Sequence, residues 1–279
     1  MAITERHLRF IVVPMMFAAV PAAADGAGPG PLPDAVAESR TLMAGGFAGF
    51  APAYEGSDEY RAIGFPLAFP TFNGGNGPGK LSRLTFRSVD DVRIAALRFG
   101  RFDAGPTLGY AFGREENDAQ RLAGLGDIDG GLSIGLFGAL RVSPFVIDVA
   151  VLTQVTGGDV GHTVRVGAGW EGRLAEHLTA RASLSTAYAS GVHMDALFSV
   201  TSMQSAASAA GLPAFDAEAG FKNVGLDVAI SYAMTERWTI APKVGYAHLL
   251  GDAADSPVTA SKHQFSGGVG LTYRFGHLW

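Results

Sequence analysis

The chain has 279 residues, with 21 Lys+Arg, 26 Asp+Glu, 38 glycines and no cysteine. The lack of cysteine excludes disulfides and thiolate metal sites, and an acidic balance with scattered arginines argues against a general nucleic-acid binder. With 48% hydrophobic and 17% charged residues, the chain is too apolar to be disordered, yet no run of about 18 apolar residues follows its N-terminus to make a helical membrane span.

Arg6, His7 and Arg9 precede an apolar run over 10–20 that is broken only by Pro14. Pro21-Ala22-Ala23-Ala24 then supplies small residues before Asp25. This order predicts a secretory signal peptide over 1–24, cut after Ala24. Residues 25–40 are rich in Pro, Gly and Ala and read as a flexible periplasmic lead-in.

From residue 41 onward the apolar period is two. Phe265, Gly267, Val269, Leu271, Tyr273 and Phe275 share one face, and Ser266, Gly268, Gly270, Thr272 and Arg274 share the other. Val224, Leu226, Val228, Ile230, Tyr232 and Met234 oppose Gly225, Asp227, Ala229, Ser231 and Ala233 in the same way. That is strand periodicity. Twelve strands are expected, at 41–53, 60–72, 80–88, 92–99, 102–113, 130–142, 144–155, 163–174, 177–189, 223–234, 237–249 and 263–275. Most run longer than the globular average of about 5–6 residues and suit a tilted membrane strand of about 9–11. The fold class is all-β: an antiparallel transmembrane β-barrel of about 12 strands over 41–279, with short periplasmic turns and longer extracellular loops. The outward connections include 114–129, 156–162, 190–222 and 250–262, mostly long, whereas the inward ones include Gly100-Arg101, Ser143, Ala175-Glu176 and Glu236, all very short. Trp170, Tyr232, Trp238, Tyr273 and Phe275 fall at the periplasmic interface. Tyr110, Phe112, Tyr188 and Tyr246 fall at the outer one, as amphipathic rings prefer. The weakest alternation lies in 80–99, where Arg87, Arg93 and Arg98 blur it.

Tyr54-Glu55-Gly56-Ser57-Asp58, continued by Glu59-Tyr60-Arg61, follows the first strand. Gly124-Leu125-Gly126-Asp127-Ile128-Asp129-Gly130-Gly131 precedes the sixth. Gln204-Ser205-Ala206-Ala207-Ser208 and Gly211-Leu212-Pro213 lie in the longest loop, and 249–258 open the last one. With Tyr273-Arg274-Phe275 at the end, these stretches make residues 41–275 resemble the MltA-interacting protein (MipA)/OmpV family of Gram-negative outer-membrane proteins. The resemblance implies a scaffold joining a periplasmic lytic transglycosylase to a murein synthase, with adhesion or small-molecule passage as other family themes. It implies no catalytic residues and no cofactor. Outer-membrane lipid and the barrel-assembly machinery are the general partners of such a barrel. Phe275 or Trp279 would serve as the terminal aromatic that the machinery reads.

Glu55, Asp58 and Glu59 put three carboxylates in one turn, an oxygen set that Ca²⁺ would accept, but without regular loop spacing a solvated structural turn is the plainer reading. Asp127 and Asp129 read as a strand-capping turn for the same reason. The histidines are dispersed without metal-ligand spacing. Neither Ser183 and Ser185 nor His248 with Asp252 sits in a nucleophile motif, so no enzyme and no metal are expected. Facing inward in this register are Arg141, Asp148, Arg165, Glu171, Arg173, Arg181, Asp227, Lys243 and Arg274. They line either a narrow aqueous channel, anion-selective if open, or a salt-bridged plug. The competing functions are a scaffold, a narrow porin-like channel and an adhesin acting through 190–222.

Overall fold

Alternation of small or polar residues with large apolar ones lets each strand turn its apolar face to lipid and its small face to a lumen. The computed structural model describes residues 39–73, 84–158 and 160–277. The expected signal peptide, residues 25–38 of the lead-in, 80–83 of the third expected strand and Trp279 lie outside them. Thirteen strands form one antiparallel sheet: β1 (Ser39–Pro52), β2 (Tyr60–Asn73), β3 (Leu84–Ser88), β4 (Asp91–Ile94), β5 (Leu97–Phe99), β6 (Phe102–Ala111), β7 (Gly131–Val142), β8 (Phe145–Gln154), β9 (His162–Ala175), β10 (Leu178–Ala189), β11 (Gly220–Ala233), β12 (Trp238–Leu249) and β13 (His263–His277). Their order is β2-β1-β13-β12-β11-β10-β9-β8-β7-β6-β4-β3, with β5 beside β6. The first and last strands therefore pair. The sheet stays open between β2 and β3 among the described residues.

β4 and β5 are one wall strand with a break. β4 pairs β6 through Val92↔Leu108 and Arg93↔Thr107, and β5 pairs it through Leu97↔Ala104 and Arg98↔Asp103. One extra residue lies between the two ladders, at Ala95-Ala96, where the Ala96 N–H donates to Ile94 O at 2.8 Å. A bulge shifts side-chain parity. Arg93 points inward before it and Arg98 after it, while Val92, Leu97 and Phe99 point away. The wall thus has the expected twelve strands, with this region interrupted. β11 also begins three residues earlier than its alternation suggests, and β6 ends two residues earlier.

The exposed faces are apolar, as lipid requires: Leu136 is 68% exposed and Phe145 58%. Ring pairs mark both edges of this belt. Trp238–Tyr273 and Tyr273–Phe275 lie at the inner edge, with centroids 5.0 and 4.9 Å apart. Tyr110–Phe112, Tyr188–Phe221 and Tyr246–Phe265 lie at the outer one. No described helix is long and apolar enough to cross a membrane.

The largest buried cores sit at the outer rim, where the long connections fold on one another. α1 (Gly191–Phe198), α2 (Ser202–Ala207) and α3 (Gly251–Asp255) belong to this cap. One core joins Tyr54, Leu122, Leu125, Val200, Leu212 and Val258. The other joins Ala189, Met194, Phe198, Ala217, Leu249 and Ala253. The larger of these side chains, Leu122, Phe198, Met194, Val200, Leu249 and Val258, are almost fully buried, and burial of each stabilises the cap by about 1.5–3 kcal/mol.

Candidate functional site

Three polar assemblies occupy the space inside the barrel wall, and the capped loops lie above them. The loop motifs noted in the sequence build the cap. Tyr54 is buried, and its hydroxyl donates to Val258 O at 3.0 Å; burial raises its pKa. Gly56 has φ +101°, and its N–H donates to Gln264 Oε1 at 3.1 Å. A Cβ there would lie 2.7 Å from Thr259 Oγ1, so the turn needs both the left-handed backbone and the absent side chain. Ser57 is fully buried, and its hydroxyl accepts from the Glu59 N–H at 3.0 Å. Asp58 is exposed. Thr201 and Gln204 form a capping box at the start of α2, and Gln204 Nε2 reaches Leu125 O at 2.7 Å. Ser256 Oγ donates to Phe198 O at 2.6 Å. These bonds tie the turn at 53–59 and the loops 112–130, 190–219 and 250–262 to one another.

Beneath the cap, Glu55 leaves its own turn and meets Lys222 Nζ at 2.7 Å. Lys222 also stands 3.3 Å from His193 Nε2, and His193 Nδ1 lies 3.0 Å from Val160 O. These contacts assign the Nδ1–H tautomer, with Nε2 accepting from the lysine. Burial alone would raise the Glu55 carboxyl; the adjacent Lys222 ammonium, then His193, hold it below the usual carboxylate range. Burial, and then the positive charge of Lys222, lower His193 to about 4. A histidine with a depressed folded pKa resists the proton that the unfolded chain accepts. Cap stability is therefore expected to be flat above about pH 6.5 and to fall as pH drops from 6.5 towards 4. His193→Gln should flatten that window, which proteolysis of the outer loops at stepped pH would read. Below about pH 4.5 protonation of Glu55 adds a further loss.

Lower in the lumen, β8, β9 and the β3–β4 hairpin share a chain of ion pairs. Arg93 binds Asp91 through Nε and Nη2, at 2.7 and 2.8 Å. Asp148 accepts from Arg93 Nη1 at 2.9 Å and from Arg87 Nη1 at 2.5 Å. Thr107 Oγ1 donates to Asp91 at 3.1 Å, and Arg165 pairs with Asp90 at the hairpin tip. Lys243 Nζ approaches Arg87 O at 3.5 Å and pairs with Asp227 at 3.2 Å. Arg87 therefore touches groups from β8 and β12, strands four places apart in the sheet. Arg87, on the edge strand β3, thus joins groups from two separate parts of the wall.

Nearer the periplasmic end the chain runs Arg98–Asp103–Arg141–Glu171–Arg181. Its contacts are 2.9 Å, 2.6 Å, 3.9 Å and 2.8 Å in that order. The structure thus brings Arg141, Asp148, Arg165, Glu171, Arg181, Asp227 and Lys243 into ion pairs. Arg173 and Arg274 are exposed near the inner ends of their strands and join no ion pair among the described residues. The sequence reading passed over Asp91, Arg93, Arg98, Asp103 and the Glu55–Lys222–His193 contact. Inward parity alone flags Asp103, but the bulge hides the arginines.

Neither nucleophile candidate gains a partner of the catalytic kind. Ser183 lies opposite Gly169 and Asp227. His248 packs at a tilt against His263, with ring centroids 4.8 Å apart, and Asp252 accepts from the Glu218 N–H. Asp127 accepts from the Glu116 N–H at 2.8 Å. Among the described residues no group of three or more His, Asp or Glu could hold a metal ion.

A family model described as MltA-interacting protein MipA matches residues 44–275. No curated protein matches the chain. Solved structures that resemble it include an outer membrane channel from Pseudomonas putida F1, at 11% identity and TM-score 0.37, covering 90% of this chain and 100% of that one. The translocator domain of the autotransporter NalP from Neisseria meningitidis has 9% identity and TM-score 0.33, with coverage of 87% and 90%. The toluene transporter TbuX of Ralstonia pickettii has 11% identity and TM-score 0.33, with coverage of 87% and 90%.

Proposed function

The chain belongs to the MltA-interacting protein MipA family, and from that premise we propose that this outer-membrane β-barrel works as a non-enzymatic scaffold with a closed bore. In this reading residues 1–24 direct export in a Gram-negative cell, and the mature protein offers its periplasmic side to a lytic transglycosylase and a murein synthase. One observation carries it: the inward ion pairs of Arg87, Arg93 and Arg165 with Asp148, Asp91 and Asp90 occupy the lumen side of the wall, under a cap with its own cores. A barrel closed in this way works through its surface.

The test is capture of purified MltA transglycosylase by mature protein refolded in detergent, with a heat-modifiable gel shift as the check of folding. Saturable capture that survives 0.5 M salt supports docking. Absence of capture by folded barrel overturns it. Removing residues 25–40 then reports whether the lead-in supplies the contact.

A second reading, a narrow porin-like channel, is favoured by the density of inward charge. It requires these ion pairs to leave a path through the lumen.

A further inference from the structure

The charges of the molecule are sorted by level. The cap segments 53–59, 112–130, 190–219 and 250–262 hold thirteen carboxylates and only three Lys or Arg. In the upper lumen the charges match one for one: Glu55 with Lys222, Asp90 with Arg165, Asp91 with Arg93, Asp148 with Arg87. The inner half differs. Arg98, Arg141 and Arg181 share two carboxylates, Asp103 and Glu171. Arg173 and Arg274 add two more cations on inward-facing positions near the mouth. Asp227 cannot offset them, because Lys243 takes it at 3.2 Å. The described rim residues Arg101, Glu176, Glu236 and Arg237 cancel one another.

Arg98 supplies a second observation. Its Nε is bound to Asp103 and its side chain is 29% exposed, but its Nη2 is buried without a hydrogen-bond partner among the described residues. A buried guanidinium N–H without an acceptor is uncommon. Arg141 and Arg181 retain about 30% side-chain exposure, at 30% and 28%. The cluster therefore has donors to spare and an approach for a ligand.

We propose that the periplasmic half of the lumen is a binding site for a multiply charged oxyanion, phosphate or carboxylate in chemistry, that enters from the periplasm. Planar guanidinium forks bind such oxygens in pairs. The acidic cap lies at the opposite end of the lumen, so the site is approached from the periplasmic mouth. A low-dielectric cleft lined by one sign of charge concentrates the opposite ion. The proposal stands apart from the docking of murein enzymes, since it concerns the bore and not the surface.

The lack of native cysteine allows a direct test on the full mature chain. Thr179 pairs with Arg173 across β9–β10 and shares the inward face of Arg181. Thr179→Cys is reacted with an anionic and a cationic methanethiosulfonate in folded, micelle-bound protein. Relative to free cysteine, the anionic reagent is expected to gain at least about tenfold over the cationic one. Inorganic pyrophosphate or tricarballylate, at fixed ionic strength, is expected to slow the anionic reaction, and the better protector separates a phosphate from a carboxylate source. Arg173→Gln with Arg181→Gln should abolish both effects. A rate ratio equal to that of free cysteine, or no protection by either anion, overturns the proposal. Ser231→Cys, opposite Thr179 on β11, repeats the test if the first variant fails to show the gel shift.

Discussion

Asp148→Asn is expected to produce stepped current in a planar bilayer, with single steps absent from the wild type. Asp148 is 5% exposed and accepts from two guanidiniums, at 2.5 and 2.9 Å. The amide removes the charge that lets Arg87 and Arg93 share one acceptor. Arg93 keeps Asp91 at 2.7 Å, but Arg87 loses its only ion-pair partner among the described residues. Breaking a buried pair costs about 3–5 kcal/mol, because it strands the remaining charge. Among the described residues β3 pairs with β4 alone, so this edge strand is what yields. Asp227→Asn is the comparison. That residue and Lys243 are 40% and 35% exposed, and a pair so open to water contributes about 0–1 kcal/mol. Its current trace should match the wild type. Silent bilayers with both variants would show that Asp148 does not hold the bore shut.

Phe198→Ala should loosen the cap without unfolding the barrel. Phe198 is 0% exposed at the end of α1 and packs in the core with Met194, Leu249 and Ala253. Its carbonyl also accepts from Ser256 Oγ, a bond the substitution leaves in place. The cavity costs about 3–5 kcal/mol, more than any one backbone hydrogen bond in the loops at about 0.5–1.5 kcal/mol. Only the end residues Ala189 of β10 and Leu249 of β12 bring the strand ladders into this core, so the heat-modifiable shift should persist. Proteolysis is the readout: cuts within 190–219 and 250–262 are expected in the variant and absent from the wild type. Equal resistance of both proteins would mean that the cap is held by the strand ends alone.

The wall was legible in the sequence because lipid demands a strict pattern. Each lipid-facing position of β8, from Phe145 to Val151, is apolar, and Asp148 and Ala150 between them are buried. The same rule failed at 80–99 for a physical reason. A single inserted residue at Ala95-Ala96 reverses parity, so Arg93 and Arg98 both face inward though they are five apart. A period-two reading counts that as noise. The ion pairs were legible only by half. Alternation sends Asp148 and Arg165 inward, but it cannot reveal that the β3–β4 hairpin supplies Arg87 and Asp90 to meet them. The cap was the least legible part. Its cores join Tyr54, Leu122, Val200 and Val258 from four separate connections, and no local pattern links residues so far apart. The motif glycine at 56 is the exception: its positive φ and its contact with Thr259 explain why the turn tolerates no side chain.

The bore of the unmodified protein is the most direct measurement. Mature 25–279, refolded until it shows the gel shift, is added to a planar bilayer and single-channel current is recorded. A closed lumen predicts a quiet membrane at protein levels that give Asp148→Asn its steps. Reproducible ohmic steps from the wild type would contradict the closed barrel and make the narrow channel the working function.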